Sequence, residues 1–264
     1  MLPFYRHLFD FAGKTVVVTG GAGLLGAEIV KCFCAFQALV IVADIKAESG
    51  ESLVQAIRSQ GGQADFFSWD MSDVLDIPAQ VASLEEKWGP VAAWVNCAYP
   101  RTSDWGTRLE EVAVASWQKN VDMHLNGYCI SANEIAKRMA ARGGGAIVNL
   151  GSIQGHVAPD FRVYEGTNLT SPAAYTAIKG GITMYSKYLA SYFGPRGVRV
   201  NVVSPGGIFN QQPESFQERY GRRTCLGRMA AAHEVATAVV FLASDAASYI
   251  TGADLLVDGG LTAI

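Results

Sequence analysis

The sequence predicts an α/β protein built on one doubly wound parallel sheet with helices on both faces. Short runs rich in β-branched residues alternate with longer helical patterns along the chain, an alternation typical of parallel sheets. Several of these runs are apolar at every position, as expected for strands that are covered on both faces. A glycine-rich turn follows the first run, where such folds bind phosphate groups.

Strands are predicted at 15–19, 38–43, 64–69, 92–96, 146–150, 198–203 and 254–257. The first of them reads Thr-Val-Val-Val-Thr, and the sixth begins Val-Arg-Val-Asn-Val, which are compositions that favour strands. Helix-length segments lie between the strands, near 24–36, 46–60, 73–88, 111–141, 173–194 and 231–243. Seven strands joined in this way predict a seven-stranded parallel sheet.

The length and the net charge of the chain argue for a single domain and against several classes of function. A chain of 264 residues that is 50% apolar can bury a full core, and we expect a single domain over 1–264. The net charge of −3 and the lack of a basic stretch argue against a nucleic-acid partner. No apolar run has the length of a membrane span, and the N-terminal residues do not resemble a signal peptide.

Cysteine usage favours a reducing compartment. The five cysteines are scattered and odd in number, so free thiols in the cytoplasm are expected rather than disulfides. Cys32 and Cys34 are spaced wrongly for a zinc pair, and no histidine lies near them. We therefore expect no metal site.

The glycine-rich turn has the properties of a dinucleotide site. Gly21-Ala-Gly23-Leu-Leu-Gly26 follows a predicted strand and opens a predicted helix, so backbone amides there can bind a phosphate. Asp44 ends the second strand, where a carboxylate accepts hydrogen bonds from the adenosine ribose and repels a 2′-phosphate. The pattern predicts NAD, with NADP possible because Lys46 lies two residues further on.

Tyr175 and Lys179 form the candidate proton-transfer pair. They are four residues apart within a predicted helix, so both side chains share one face. A phenol ordinarily has a pKa near 10, and a neighbouring ammonium favours the phenolate and lowers that pKa. We therefore expect Tyr175 to act as an acid or base near neutral pH.

Motifs along nearly the whole chain carry a family resemblance. In order they are Thr19-Gly20 with Gly26, Asp70, Val95-Asn96-Cys97-Ala98, Gly151-Ser152, Tyr175-x-x-x-Lys179, Asn201-Val-Val-Ser-Pro205-Gly206 and Val257-Asp258-Gly259-Gly260. Together they resemble the short-chain dehydrogenase/reductase family. The chain is most similar to its flagellin modification protein A-like branch, in Asn96-Cys-Ala-Tyr-Pro100 and Val163-Tyr-Glu-Gly-Thr-Asn168. That branch serves pathways that make sugars for glycosylating flagella.

The resemblance implies a Rossmann fold and an NAD-dependent enzyme acting on a secondary alcohol or carbonyl. Tyr175 would exchange the proton, Lys179 would lower its pKa and hold the nicotinamide ribose, and Ser152 would bind the reacting oxygen. Contacts with the cofactor are expected from Gly20, Gly23, Leu25, Gly26, Asp44, Ile45, Asp70, Met71, Asn96, Ala98, Tyr175, Lys179, Pro205, Gly206 and Ile208. Asn96 and Asp70 have an alternative role as strand-end caps, and Ser152 as a turn residue.

The chain departs from the family pattern at four places. Leu24 stands where the middle glycine of the loop is usual, and Tyr99 stands where another glycine is usual. His124 occupies the place of a catalytic asparagine on the long central helix; it could relay a proton or pack against the sheet, and Asn120 could take the asparagine's role. Ser152 and Tyr175 are also unusually far apart, which predicts a substrate loop near 156–172.

Arginines predict the substrate class. They cluster at the expected mouth of the site and in a predicted lid near 208–228, and are Arg101, Arg108, Arg162, Arg219, Arg222, Arg223 and Arg228. Arginine forks suit phosphates and carboxylates, so we expect a polar, anionic substrate such as a sugar phosphate, although ordinary surface arginines would give the same pattern. An epimerase or dehydratase with bound NAD, and a non-catalytic dinucleotide-binding protein, stay open as alternatives. The family resemblance implies a homotetramer, or a dimer.

Overall fold

The computed structural model describes residues 2–264, with side chains from Phe4 onward, and its centre is one sheet of seven parallel strands. The strand order β3-β2-β1-β4-β5-β6-β7 confirms the predicted doubly wound arrangement. The strands are β1 Thr15–Thr19, β2 Leu39–Asp44, β3 Gln63–Ser68, β4 Val91–Asn96, β5 Gly145–Leu150, β6 Val198–Pro205 and β7 Asp254–Val257.

Helices cover both faces of this sheet. They are α1 Leu2–His7, α2 Leu24–Ala35, α3 Ala47–Ser59, α4 Ile77–Trp88, α5 Val114–Asn120, α6 Gly127–Ala141, α7 Ala173–Phe193, α8 Glu214–Gly221 and α9 Ala232–Ala243. None of the helices described here is both long and apolar enough to cross a membrane. In the same part of the chain, no group of three or more His, Cys, Asp or Glu residues could hold a metal ion.

Alternating side chains of the strands build two cores. Val16 and Val18 face α2 and α9 on one side, whereas Val17 faces the opposite core, which α4, α6 and α7 complete. Because successive strand side chains point to opposite faces, the apolar runs supply both cores at once. Apolar runs in the inner strands are therefore the sequence feature typical of this buried sheet.

The strand order reverses between β1 and β4, so the loops that follow these strands separate and leave a crevice. Gly20 follows β1 directly and has a φ of +66°, and a Cβ atom there would lie 2.5 Å from the Cα atom of Ala98. The two loops therefore meet at Gly20, which only glycine can occupy without displacing the backbone of Ala98.

The long central helix predicted at 111–141 is helical over 114–141, with a π-helical turn inside it. Its first part, α5, passes into a π-helical segment, Val121–Asn126, before α6 begins. Single π-helical turns inside α-helices occur frequently at functional sites. His124 lies within this segment.

The loop 156–172 packs against α8 rather than extending into solvent. Val163 of the loop, Phe216 of α8 and Met229 form a small apolar cluster. Arg219 of α8 donates hydrogen bonds to the backbone oxygens of Val163 and Glu165. The loop and α8 therefore form one joined structure beside the carboxyl edge of the sheet.

Candidate active site

A cleft of about 1250 Å³ runs along the carboxyl edge of the sheet. The glycine turn, Asp44 and Asp70 line one end, and Ser152, Tyr175 and Lys179 line the other. Parallel α/β sheets bind ligands at this edge. The cleft thus joins the predicted dinucleotide residues to the predicted catalytic residues.

The glycine turn presents an uncapped helix end to the cleft. Gly23 is the N-cap of α2, and no side chain caps the first turn of that helix. The first backbone N–H groups of a helix have no partner within the helix, and together with the helix dipole they favour a phosphate. Gly20, Gly23, Leu25 and Gly26 all line the cleft here, so this end fits a dinucleotide pyrophosphate.

Asp44 is held rigidly at the end of β2. One of its carboxylate oxygens accepts a hydrogen bond from the backbone N–H of Ala22 at 3.0 Å, and the other accepts one from Lys46 at 3.0 Å. The bond to Ala22 ties the carboxylate to the glycine turn. Ile45 lines the cleft beside it, so the pair forms the wall where the sequence predicts an adenosine ribose.

Most of the other predicted cofactor contacts also line the cleft, namely Asp70, Met71, Ala98, Pro205, Gly206 and Ile208. Asp70 additionally accepts a hydrogen bond from the N–H of Ser72 at 2.9 Å. It therefore stabilises its own turn, as the alternative interpretation expects, while it also borders the cleft.

The side chain of Asn96 does not reach the cleft, so its contact with the cofactor stays a prediction that this side chain does not support. Asn96 is fully buried. Its oxygen accepts hydrogen bonds from Trp94 and Ser131, and its amide nitrogen donates to Asn149 at 2.8 Å. Buried amides need such partners, and these partners are all inside the protein. Asn96 thus joins β4 to β5 and α6 beneath the cleft floor.

Ser152, Tyr175 and Lys179 meet at the far end of the cleft. Ser152 follows β5 and accepts a hydrogen bond from the N–H of Gln154 at 3.1 Å, and the interaction of its side chain with Tyr175 lowers the pKa of that phenol. Lys179 is 3% exposed and donates to the backbone oxygen of Leu150 at 2.7 Å. Its ammonium lies 5.6 Å from the centre of the Tyr175 ring. The predicted catalytic group is therefore assembled in the ligand-free chain.

The pKa of Tyr175 differs from the expectation. Burial raises the pKa of this phenol above its usual value, and the hydrogen bond with Ser152 offsets only part of that rise. Burial also lowers the pKa of Lys179 to about 7, which weakens the positive charge near neutral pH. The sequence shows the spacing of the pair but not the desolvation around it, and desolvation dominates here.

His124 lies behind the cleft wall. It is fully buried, and neither ring nitrogen has a hydrogen-bond partner among the described residues. Burial holds its pKa well below the usual value, with a further lowering from Lys179, so the ring is neutral. Its ring centre lies 5.2 Å from those of Tyr99 and Tyr128. A buried polar ring without partners is unusual in a core.

Asn120, the other candidate for the asparagine's role, has its side chain engaged within the chain. Its side-chain oxygen accepts a hydrogen bond from the N–H of Thr102 at 3.0 Å, and its nitrogen donates to the Thr102 hydroxyl and to the Ser116 backbone. All of its polar groups are thus used to attach the loop after β4 to α5.

Two aromatic rings cover Tyr175, the predicted proton-transfer residue. Tyr99 and Trp105 both contact Tyr175 edge-on, with ring centres 5.8 and 6.2 Å from it. The indole N–H of Trp105 donates to the Tyr99 hydroxyl at 2.8 Å, which fixes the two rings relative to each other. The sequence singles out Tyr99 but gives no signal for Trp105, because the loop that holds it has no motif. Edge-to-face packing of this kind favours a fixed aromatic wall.

Most of the predicted substrate arginines are engaged inside the chain. Asp160 pairs with both Arg162 and Arg223, at 2.8 and 3.3 Å, and the Arg162 fork lowers the pKa of Asp160 to about 2. Arg228 makes a two-pronged pair with Glu234, and Arg219 binds backbone oxygens. Arg101 lines the cleft, where its guanidinium lies 5.0 Å from the Tyr99 ring centre.

Comparison with known proteins identifies the family. A protein-family model described as enoyl-(acyl carrier protein) reductase matches residues 21–262. D-threitol dehydrogenase of Mycolicibacterium smegmatis is 34% identical over 262 residues, which cover 96% of this chain and 95% of that protein. The chain belongs to the short-chain dehydrogenase/reductase family.

Two further relatives in this short-chain dehydrogenase/reductase family differ in their recorded roles. Galactitol 2-dehydrogenase (L-tagatose-forming) of Cereibacter sphaeroides is 34% identical, covering 98% of both chains. Post-translational flagellin modification protein A of Campylobacter coli is 30% identical, covering 94% of this chain and 97% of that one. The predicted branch is thus among the relatives, beside dehydrogenases of sugar alcohols.

Solved structures of the family match the fold over nearly all of the chain. A short-chain dehydrogenase from Leptospira borgpetersenii with bound NAD⁺ superposes with a TM-score of 0.85 at 32% identity, covering 97% of this chain and 95% of that one. A gluconate 5-dehydrogenase from Burkholderia cenocepacia, in complex with NADP and tartrate, superposes with a TM-score of 0.88 at 25% identity, covering 98% and 99%. The family therefore binds a nicotinamide dinucleotide, and its members differ in which one.

Proposed function

We propose that this protein transfers a hydride between NAD and a secondary hydroxyl, or the corresponding carbonyl, of a polyol or sugar. The observation that carries the proposal is the assembly of Ser152, Tyr175 and Lys179 at one end of a cleft whose other end fits a dinucleotide. A proton-transfer group and a hydride carrier at one reacting carbon are what alcohol oxidation requires.

Each residue of the site has a separate role in the proposed reaction. NAD, when bound, supplies the hydride acceptor or donor. Tyr175 exchanges a proton with the substrate oxygen, and the Ser152 hydroxyl bonds that same oxygen as its charge changes. Because burial raises the pKa of Tyr175, the ligand-free residue is a phenol, ready to protonate a carbonyl oxygen. Accepting a proton from an alcohol requires positive charge beside it, which Lys179 provides when protonated.

Asp44 supports NAD as the cofactor. Its carboxylate is fixed by the backbone of Ala22 and Lys46, so it cannot turn away without losing both hydrogen bonds. A 2′-phosphate beside this fixed negative charge is disfavoured. Replacing Asp44 with Ser would therefore raise the turnover of NADP relative to NAD.

A neutral polyol or sugar fits the substrate end of the cleft better than a phosphorylated one. Arg162, Arg219, Arg223 and Arg228 are engaged within the chain, which leaves Arg101 as the lining guanidinium that could bind an anion. Asn210 and Ser103 also line this end and suit hydroxyl groups. The 34% identity to dehydrogenases named for D-threitol and galactitol supports the same class.

We further propose roles for the surrounding parts. His124 acts as a neutral relay for protons next to Tyr99, the loop 156–172 shapes the substrate pocket, and the segment 208–228 acts as its lid. The protein works as a homotetramer, or a dimer, in the cytoplasm, where its five free cysteines stay reduced.

The test measures NADH absorbance with D-threitol, galactitol, galactose, gluconate and a sugar phosphate, each with NAD and with NADP. We expect turnover of a neutral polyol with NAD, and a loss of at least 100-fold in kcat for Tyr175→Phe with unchanged NADH affinity. Preferred turnover of the sugar phosphate would overturn the substrate class. NADH binding with no turnover by the unaltered protein or by Tyr175→Phe would favour a non-catalytic dinucleotide-binding protein. Isomerisation or dehydration without NADH release would favour the epimerase or dehydratase alternative.

A further inference from the structure

A buried carboxylate outside the cleft connects the two elements that carry the catalytic residues. Asp254 begins β7, and its side chain is 6% exposed. One carboxylate oxygen accepts hydrogen bonds from the ring of His156 at 2.7 Å and from the hydroxyl of Thr183 at 3.2 Å. The other oxygen is buried and has no partner among the described residues.

His156 ties this carboxylate to the turn that holds Ser152. The turn Ile153–Gly155 is a single 3₁₀ turn that Ser152 caps, and the backbone N–H of His156 donates to the oxygen of Ile153. Because a carboxylate only accepts hydrogen bonds, the Nε2 atom of His156 carries the proton of the bond to Asp254. The imidazole thus anchors the end of the turn to β7.

Thr183 ties the same carboxylate to the helix that holds the other two catalytic residues. Tyr175, Lys179 and Thr183 follow one another at intervals of four residues on α7, so they share one face. The turn also touches α7 directly, since a Cβ atom on Gly155 would lie 3.1 Å from the backbone oxygen of Lys179. Asp254 therefore spans the contact between the turn and the helix.

We propose that Asp254, with His156 and Thr183, is a positioning group that fixes the Ser152 hydroxyl relative to Tyr175. This inference rests on the proposed function, because it assigns to the bridge the geometry of the proposed proton transfer. Ser152 and Tyr175 come from different elements separated by the long loop 156–172. The bridge connects those elements at the point where the loop begins.

The energetics also favour a positional role. A buried carboxylate with one unpartnered oxygen loses hydration that its remaining hydrogen bonds restore only in part. Well-packed apolar side chains at such a contact commonly stabilise the folded state as well as a buried charged pair does, or better. A bridge of this kind is therefore a poor way to gain stability, but its directional hydrogen bonds define one geometry.

The experiment compares paired variants of the full chain. His156→Ala and Thr183→Val remove one bridge bond each, whereas His156→Gln and Thr183→Ser keep a donor at nearly the same place. His7→Ala is the control, because His7 is an exposed histidine on α1. For each variant, kcat, KM, the NADH dissociation constant and amide hydrogen exchange of residues 152–157 are measured.

We expect kcat to fall about 10- to 100-fold in His156→Ala and in Thr183→Val, because displacement of a reacting group by about 1 Å has effects of this size. The NADH dissociation constant should stay unchanged, exchange of residues 152–157 should accelerate, and Gln and Ser should restore both readouts. Unchanged kcat and exchange in His156→Ala and Thr183→Val would overturn the proposal, as would a loss that Gln and Ser do not restore.

The exchange measurement separates this proposal from the proposed function. It needs no substrate, so it reports on the bridge even if no tested alcohol is oxidised. Absent turnover in the unaltered protein would contradict the proposed function, while faster exchange in His156→Ala but not in His156→Gln would still support the bridge. Absent turnover together with unchanged exchange would contradict both.

Discussion

Burial shifts the pKa values of Tyr175 and Lys179, the proposed catalytic residues, and also makes Lys179 unfavourable for folding. Lys179 is 3% exposed, and its ammonium has one protein hydrogen-bond acceptor, the oxygen of Leu150. The lowered pKa of about 7 means that the folded state holds this proton more weakly than the unfolded chain does. Activity and stability are therefore opposed at this residue.

Replacing Lys179 with Met should stabilise the ligand-free protein at neutral and low pH. Below pH 7 the lysine is protonated in both the folded and the unfolded state. The cost of burying its charge then lowers the free energy of unfolding in full, by roughly 3 to 5 kcal/mol from the pKa difference. Between about pH 7 and the unfolded pKa near 10.4, the unfolded chain binds more protons, so the stability of the unaltered protein rises with pH.

Urea unfolding of both proteins at pH 6 and pH 9 measures this effect. We expect a higher midpoint for Lys179→Met at pH 6, a smaller difference at pH 9, and loss of dehydrogenase activity at both. A buried ammonium predicts that the difference between the two urea midpoints shrinks as the pH rises. A difference that grows from pH 6 to pH 9 would contradict this explanation.

His124 permits a second test at this scale. His124→Leu removes two buried ring nitrogens that lack partners among the described residues, so we expect a higher melting temperature. If the ring relays protons, kcat falls at least tenfold in His124→Leu and recovers partly in His124→Asn, which restores a polar side chain. Equal kcat in all three proteins, measured by NADH absorbance, would make His124 a packing residue.

Individual residues also show where sequence patterns stop being informative. Motif position predicts Ser152, Tyr175, Lys179 and the cleft-lining glycines, because the backbone fixes those places. It does not predict that Asn96 turns into a buried network or that Arg162 binds Asp160. Those outcomes depend on partners that come together only in the folded chain.

At the scale of elements, local patterns predict the sheet well and the short helices poorly. All seven strands occur within three residues of their predicted ends. The inner strands are recognisable because strands buried on both faces need apolar runs, whereas the edge strand β3, Gln-Ala-Asp-Phe-Phe-Ser, has no β-branched residue and is only partly buried. The helix α8, Glu-Ser-Phe-Gln-Glu-Arg-Tyr-Gly, has few apolar residues and was expected only as a lid segment. Its buried Phe216 packs on the loop 156–172, and a contact with a distant segment leaves no local pattern.

The packing of α8 against the loop 156–172 predicts how removal of the Phe216 side chain changes substrate binding. Phe216→Ala removes the ring that packs against Tyr164, with ring centres 5.4 Å apart. We expect looser loop packing, a several-fold higher KM for the alcohol and an unchanged NADH dissociation constant, because the glycine turn lies at the other end of the cleft. Limited proteolysis should cut the loop 156–172 faster.

Glu218→Ala provides the matched control, since Glu218 is an exposed residue of the same helix. It should leave both the KM and the proteolysis rate unchanged. If Phe216→Ala raises the NADH dissociation constant as much as the KM, the joint affects the whole cleft and not only the substrate pocket.

For the whole molecule, the outer face of α7 offers a surface on which the proposed assembly can be tested. Met184, Tyr188 and Tyr192 are 63%, 60% and 59% exposed, and they form one apolar row on the helix that carries Tyr175 and Lys179. The rings of Tyr188 and Tyr192 are stacked, 6.2 Å apart at an interplanar angle of 8°. Contiguous exposed apolar surface of this kind marks protein interfaces, and closed symmetric assemblies are the usual outcome in soluble proteins.

A charge in this row should therefore disrupt the proposed tetramer. Tyr188→Asp places a carboxylate where a second copy of α7 would pack, and the desolvation of that charge opposes association. Sedimentation analysis should show a smaller assembly than that of the unaltered chain.

Leu75→Asp is the control, because Leu75 is 89% exposed in the loop before α4 and far along the chain from α7. An unaltered chain that sediments as a monomer would contradict the proposed assembly, and a tetramer that survives Tyr188→Asp would place the contact on another face. Because α7 also carries Tyr175 and Lys179, the smaller assembly should have a lower kcat if packing against a second copy stabilises that helix.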